Sequence, residues 1–187
     1  MLDFAGDSLE SKKPLVILVG QVKIHHMILY QEVLLEFNKR KVKYIIVGGI
    51  AINLHGFLRA TADMDILVDM TDENLRKIVN ILKKQGYHVK QPIDPMGIAN
   101  EKIRHDWIHG KNMKAFNFYK EDEFKEVDII IESPVSYKKA NKSVWHVKID
   151  DLKVPVISLE DLIEMKKQAG RDLDQRDIEQ LRIIKKL

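Results

Sequence analysis

The sequence predicts an α/β (α+β) fold, a small mixed β-sheet with helices packed on it and a helical portion at the C-terminus. Three observations carry this. Runs of strand length at 44–47, 63–69, 115–119 and 126–132 are apolar and rich in β-branched and aromatic residues. Between them lie segments whose apolar positions recur every three or four residues, as in a helix with one buried face. From Ser158 onward only helical spacing remains. At 187 residues the chain is long enough to bury a sizeable core and is sized for one domain.

Composition narrows the function classes. The formal charge of +3, from 31 basic and 28 acidic residues, is too balanced to mark a protein that coats nucleic acid. The absence of cysteine rules out disulfides, thiolate metal sites and a cysteine nucleophile, and points to a reducing, cytoplasmic compartment. No apolar run approaches the roughly 20 residues that span a bilayer, so no membrane partner is expected. The run PLVILVG at 14–20 is too short for that and lacks a following cleavage site, and it reads as a strand. Met27 directly precedes the first helical run. Residues 1–26 therefore read as an N-terminal extension, and 27–187 as a single domain whose helical portion starts at about 158.

Taken in order, residues 27–40 place Ile28, Leu29, Val33, Leu34 and Phe37 on one helical face, and a basic cluster closes the last turn. The strand at 44–47 ends at Gly48 and Gly49, followed by a short amphipathic helix and a second strand carrying Asp63 and Asp65. Thr71 offers an N-cap for a helix through 84, with Leu75, Ile78, Ile81 and Leu82 on one face and Gly86 as its stop. Tyr87 opens a short strand. Residues 91–112, broken by Pro92, Pro95, Gly97 and Gly110, are the least regular and hold one short helix at 99–107. Loops of this kind beside a catalytic sheet often face substrate.

A strand at 115–119 and a charged turn lead to the strand at 126–132, where Ile129, Ile130 and Ile131 argue for burial on both faces. Residues 136–143 read as a basic turn or helix, and the runs at 144–149 and 154–157 as a hairpin around Asp150 and Asp151. Ser158 and Asp161 make a capping-box-like start to a helix that Gly170 interrupts. The last helix, 173–186, shows Ile178, Leu181 and Ile184 on one face.

The chemistry rests on the acids. Side chains alternate along a strand, so Asp63 and Asp65 point the same way while Met64 and Ile66 point into the core. Two like charges on a half-buried strand raise a pKa unless a cation sits between them, and a divalent metal is the simplest such cation. Asp128, in an apolar strand, needs a cation or a place at the sheet edge. His105 and His109 stand i, i+4, but no acidic or cysteine partner completes a zinc site. Gly20 has no following Gly-Lys-Ser/Thr, which excludes a P-loop.

Val47-Gly48-Gly49, thirteen residues, then Asp63-Met64-Asp65-Ile66 resembles the signature of the nucleotidyltransferase (polymerase beta-like) fold superfamily. Gly48-Gly49-Ile50-Ala51, Leu54-His55-Gly56 and Arg59-Ala60-Thr61-Ala62-Asp63 look like the group containing abortive-infection toxin (AbiEii-type), minimal and antibiotic nucleotidyltransferases. The run SLEDLI at 158–163, with Lys166, Ala169-Gly170-Arg171 and Asp174, looks like that group's closing helices. The likeness runs from about Ile28 to the C-terminus. It implies transfer of a nucleoside monophosphate from an NTP, taken as ATP, to an acceptor hydroxyl with release of pyrophosphate, an EC 2.7.7-type reaction.

The resemblance further implies that Asp63, Asp65 and Asp128 are catalytic and bind two Mg²⁺ ions, with Mn²⁺ as a substitute. Gly48 and Gly49 would let backbone N–H groups approach the triphosphate at a helix N-terminus, and Arg59, Thr61, Lys166 and Arg171 would contact the nucleotide. Plainer readings stand beside these. The glycines suit a tight turn, Asp128 a strand-edge ion pair, Lys166 a solvated helix face, Arg171 a pair with Asp174 or Asp177, and Arg59 a structural anchor. A small molecule, a protein side chain and a tRNA end are open as acceptors, and a homodimer or a cognate antitoxin as macromolecular partner. The alternative function is a catalytically silent nucleotide-binding or toxin–antitoxin-type module on the same fold, against which the intact acids speak.

Overall fold

A computed structural model describes residues 29–149 and 152–186. The expected strand at 14–20, His25, His26, Met27 and the turn residues Asp150 and Asp151 lie outside them. The elements run α1 (Gln31–Lys39), β1 (Tyr44–Ile46), α2 (Gly48–His55), β2 (Met64–Val68), α3 (Asp72–Lys84), β3 (His88–Val89), a 3₁₀ turn (Pro95–Ala99), α4 (Glu101–His109) and β4 (Ala115–Lys120). A second 3₁₀ turn (Glu121–Glu123) leads to β5 (Lys125–Ile130), α5 (Tyr137–Ala140), β6 (Trp145–Ile149), β7 (Leu152–Val156), α6 (Leu159–Ala169) and α7 (Asp172–Ile184).

The strands form one mixed sheet in the order β3-β4-β5-β2-β1-β7-β6. β2 is antiparallel to β1 but parallel to β5, and β1 is parallel to β7. The two outer pairs, β3–β4 and β6–β7, are antiparallel, as is β4–β5. Alternation along the central strands separates two faces. Met64 and Ile66 of β2, Phe116 and Phe118 of β4, and Val127 and Ile129 of β5 are all buried. On this face the Trp107 ring of α4 stacks on Phe116 with centroids 5.2 Å apart. The other face presents Asp65 and Asp128.

The pleat also corrects one expectation. Ile129 and Ile131 are buried, but Ile130, between them, is only half-buried and points with Asp128 to the polar face. Three successive isoleucines therefore do not mean burial on both faces here. The expected helix at 99–107 starts two residues later, where the Asn100 side chain accepts from Ile103 N–H at 3.2 Å, with the 3₁₀ turn taking the residues before it. Buried Arg104 ties this irregular region to the far end of β2, donating to Ile98 O at 2.6 Å, Asp72 Oδ1 at 2.9 Å and Met70 O at 3.0 Å.

Candidate active site

Strands β2 and β5 set the centre of the polar face. Their ladder pairs Met64 with Val127 and Asp65 with Asp128, so the two aspartates stand on adjacent parallel strands pointing the same way. Strand spacing puts their backbones about 4.8 Å apart. Burial lifts the Asp65 carboxyl, and the charges of Asp128 and Asp63 lift it further, to about 6, against the opposing pull of Lys166 and Arg171. Burial also raises Asp128, opposed by a hydrogen bond from Asn117 Nδ2 to its Oδ1 at 2.8 Å. Asp63, exposed just before β2, is raised by partial burial and by Glu126, with Lys90 lowering it.

The strand-to-helix turn beside Asp65 has no room for side chains. Gly48 has φ +64°, and a Cβ there would lie 1.8 Å from Asp65 Oδ2. A Cβ on Gly49 would lie 2.5 Å from Thr61 Oγ1. Only glycine fits both positions. The turn opens α2, whose first N–H groups have no acceptor within the helix.

Gly48 and Asp65 sit in the wall of a cleft of about 450 Å³. Lys114, Ile130 and Ser133 line one side, and Leu162, Met165, Lys166 and Arg171 of the C-terminal helices the other. Lys166, for which a solvated helix face is the plainer reading, is only 4% exposed and bonds Asp174 at 2.9 Å and Asp177 at 2.7 Å. Asp177 also receives Arg59 at 2.8 Å, and Asp174 receives Arg171 Nε at 2.7 Å. Of the residues expected to meet nucleotide, Gly48, Lys166 and Arg171 line the cleft. Gly49 and Thr61 pack on each other behind it, and Arg59 joins the ion-pair network.

Other polar residues escaped the sequence reading. Asn117 is the register partner of Asp128 on β4. The carboxylate orients its amide, whose Oδ1 accepts from Gln91 Nε2 at 3.0 Å. Glu126 shares the face with Asp128 and pairs with Lys90. Lys114 lines the cleft with no carboxylate partner among the described residues. The register of the β4–β5 hairpin, which strand periodicity alone does not set, brings Asn117 to Asp128.

A family model described as nucleotidyltransferase of unknown function (DUF6036) matches residues 26–187. The chain belongs to this family. No curated protein matches it. Among solved structures, this nucleotidyltransferase is similar to the lincosamide antibiotic adenylyltransferase LnuA in its lincomycin-bound form: 20% identity, TM-score 0.53, 79% of this chain and 90% of that one covered. It is also similar to the antibiotic-resistance factor ANT(2'')-Ia in solution, at 19% identity and TM-score 0.51, covering 84% of this chain and 81% of that one. A crystal structure of ANT(2'')-Ia with adenylyl-2''-tobramycin matches at 16% identity and TM-score 0.51, with 84% and 93% covered. Likeness at such identity establishes the fold.

Nucleotidyltransferases generally use divalent metals, and the donor set of this one fits such an ion. Three carboxylates without histidine or cysteine are hard oxygen ligands of the kind Mg²⁺ and Mn²⁺ take. Burial is the main reason the Asp65 carboxyl is raised, and the charges of Asp128 and Asp63 add to it, so a cation bound beside them would offset both effects. Among the described residues no three such side chains stand ready-grouped around an ion position. The sheet fixes Asp65 and Asp128, while Asp63 lies one residue outside the ladder.

Proposed function

We propose that this nucleotidyltransferase moves a nucleoside monophosphate from ATP to a hydroxyl of a small-molecule acceptor, with Mg²⁺ as its cofactor, in the cytoplasm. The acceptor oxygen bonds to the α-phosphorus, the bond from that phosphorus to the bridging oxygen breaks, and pyrophosphate leaves. The hydroxyl proton passes to a carboxylate of the cluster. The observation that carries the reading is the in-register pair Asp65 and Asp128 beside a cleft with a glycine turn and basic side chains in its walls.

Each residue has a role that its surroundings support. Asp63, Asp65 and Asp128 would hold the metal, which when bound would polarise the α-phosphate and offset charge on the departing pyrophosphate. The side-chain-free turn at Gly48 and Gly49 exposes the first N–H groups of α2 to phosphate oxygens. Arg171, its side chain 71% exposed and held to Asp174 through Nε and Nη2, keeps Nη1 for the polyphosphate. Lys114 supplies a second cation from the opposite wall. Lys166 and Arg59 serve one step back, fixing α6 and α7 against the Arg59 segment. A small-molecule acceptor is favoured by the two similar proteins whose structures hold lincomycin and adenylyl-2''-tobramycin.

Incubation of the protein with α-labelled NTPs and fractionated cell extract tests this. Label is expected in the low-molecular-weight fraction, dependent on Mg²⁺ and lost in a folded Asp63→Ala variant. Label on protein or RNA would overturn the acceptor assignment. ATP binding without metal and without transfer would leave the silent-module reading.

A further inference from the structure

Asp63 is the one carboxylate of the three that no ladder holds. Pairing of β2 with β5 begins at Met64 and Val127, and pairing of β1 with β2 ends at Ile46 and Ile66. The backbone beside Asp63 is held instead by Tyr30, the N-cap residue of α1, which is 1% exposed. Its hydroxyl lies 2.6 Å from Ala62 O and 2.8 Å from Glu126 O, so its single proton is donated to one of two carbonyls. The same oxygen accepts from Glu126 N–H at 3.1 Å.

Ala62 immediately precedes Asp63, and Glu126 lies two residues before Asp128. One buried hydroxyl therefore ties together the two backbones that carry the first and third carboxylates. The ring alone would fill the same space as phenylalanine. Burying a hydroxyl there is unfavourable unless it is bonded, and all of its bonding is spent on these two segments.

We propose that Tyr30 is a positioning residue whose hydroxyl sets the spacing of Asp63 from Asp128, and through it the affinity of the three carboxylates for a divalent cation. This rests on reading those carboxylates as a metal site. Groups just outside a metal's ligands commonly change affinity by about 10- to 100-fold when removed.

Calorimetric Mn²⁺ titration of the wild type, Tyr30→Phe and Tyr44→Phe tests it, with label transfer measured alongside. Tyr44 is the control, a core tyrosine whose buried hydroxyl has no hydrogen-bond partner among the described residues. Tyr30→Phe should bind Mn²⁺ about 10-fold more weakly or worse, bind metal-free ATP as the wild type does, and recover turnover as Mn²⁺ is raised. Tyr44→Phe should match the wild type in all three. A lowered Tm in Tyr30→Phe with unchanged Mn²⁺ affinity would mean a purely structural hydroxyl and overturn the proposal alone. A wild type that binds no Mn²⁺ would overturn the metal reading itself, and the proposal with it.

Discussion

Asp65 and Asp128 occupy one register position on parallel neighbouring strands, and the Asp65 carboxyl is lifted to about 6 as a result of burial and of its neighbours' charge. An ordinary unfolded aspartate titrates near 3.9. The folded protein therefore holds this proton more tightly than the unfolded chain. Its contribution to stability is present below about pH 4 and lost as pH rises through about 6. The metal-free protein should lose stability across that window, and Mg²⁺ should raise Tm more at pH 7.5 than at pH 5. Scanning calorimetry at both pH values, with and without Mg²⁺, checks this, and equal Mg²⁺ shifts would break the link.

Asp65→Asn removes the charge while keeping the shape. In the absence of metal at pH 7 the variant should be more stable than the wild type, by about 1–3 kcal/mol at roughly 1.4 kcal/mol per pKa unit. Nucleotidyl transfer should be lost. Gained stability with lost turnover is the pattern of a residue kept for function. Urea unfolding paired with a transfer assay measures both, and a destabilised variant would argue for a structural ion pair instead.

Gly48→Ala strains a backbone at φ +64° and drives a methyl into the Asp65 carboxylate. We expect a stability loss of about 1–2 kcal/mol from the left-handed conformation and a fall in kcat/KM of about 100-fold as Asp65 is displaced. Gly56→Ala is the comparison, with φ +115° and nothing within 4 Å of the added carbon. It should share the strain and keep the activity. Equal activity losses in the two variants would show that the contact with Asp65 is irrelevant.

Lys166→Met leaves two carboxylates, both almost wholly buried, short of a cation. Breaking a buried pair by removing one partner costs about 3–5 kcal/mol, against less than about 1 kcal/mol for a surface lysine. Burial pushes the Asp174 carboxyl up, but Arg171 and Lys166 outweigh it and hold it at about 2. That stabilisation is present above about pH 4 and lost as pH falls through about 2. The variant should therefore unfold at a higher pH than the wild type on acidification. An acid titration followed by circular dichroism measures the midpoint, and an unmoved midpoint would return Lys166 to a solvated role.

The sequence made the centre of this site legible where periodicity and cost act locally. Asp65 stands on the polar face because strand residues alternate, and an acid in so apolar a run as that around Asp128 signals itself by its desolvation cost, whereas Asp63, expected on the same strand, falls one residue before it. The glycine turn was visible for the same reason. Lys166 stands out in the sequence as a candidate site residue, but its burial was not legible, because its partners sit on the following helix, and helical spacing cannot tell a solvated lysine from one buried by the fold-back at Gly170. Asn117 and Tyr30 were hidden too. Each reaches the carboxylates through strand pairing or a contact across the chain, 96 residues away in the case of Tyr30 and Glu126.

The chemistry itself is tested most directly by running α-labelled and γ-labelled ATP in parallel with the wild type and Asp128→Asn. We expect the α-label on the acceptor and the γ-label only in free pyrophosphate, both dependent on Mg²⁺. Transfer should fall by about 10³-fold or more in Asp128→Asn while its circular dichroism spectrum and Tm show an intact fold. A γ-label on the acceptor, or α-label transfer that survives the loss of Asp128, would contradict nucleotidyl transfer at this carboxylate pair.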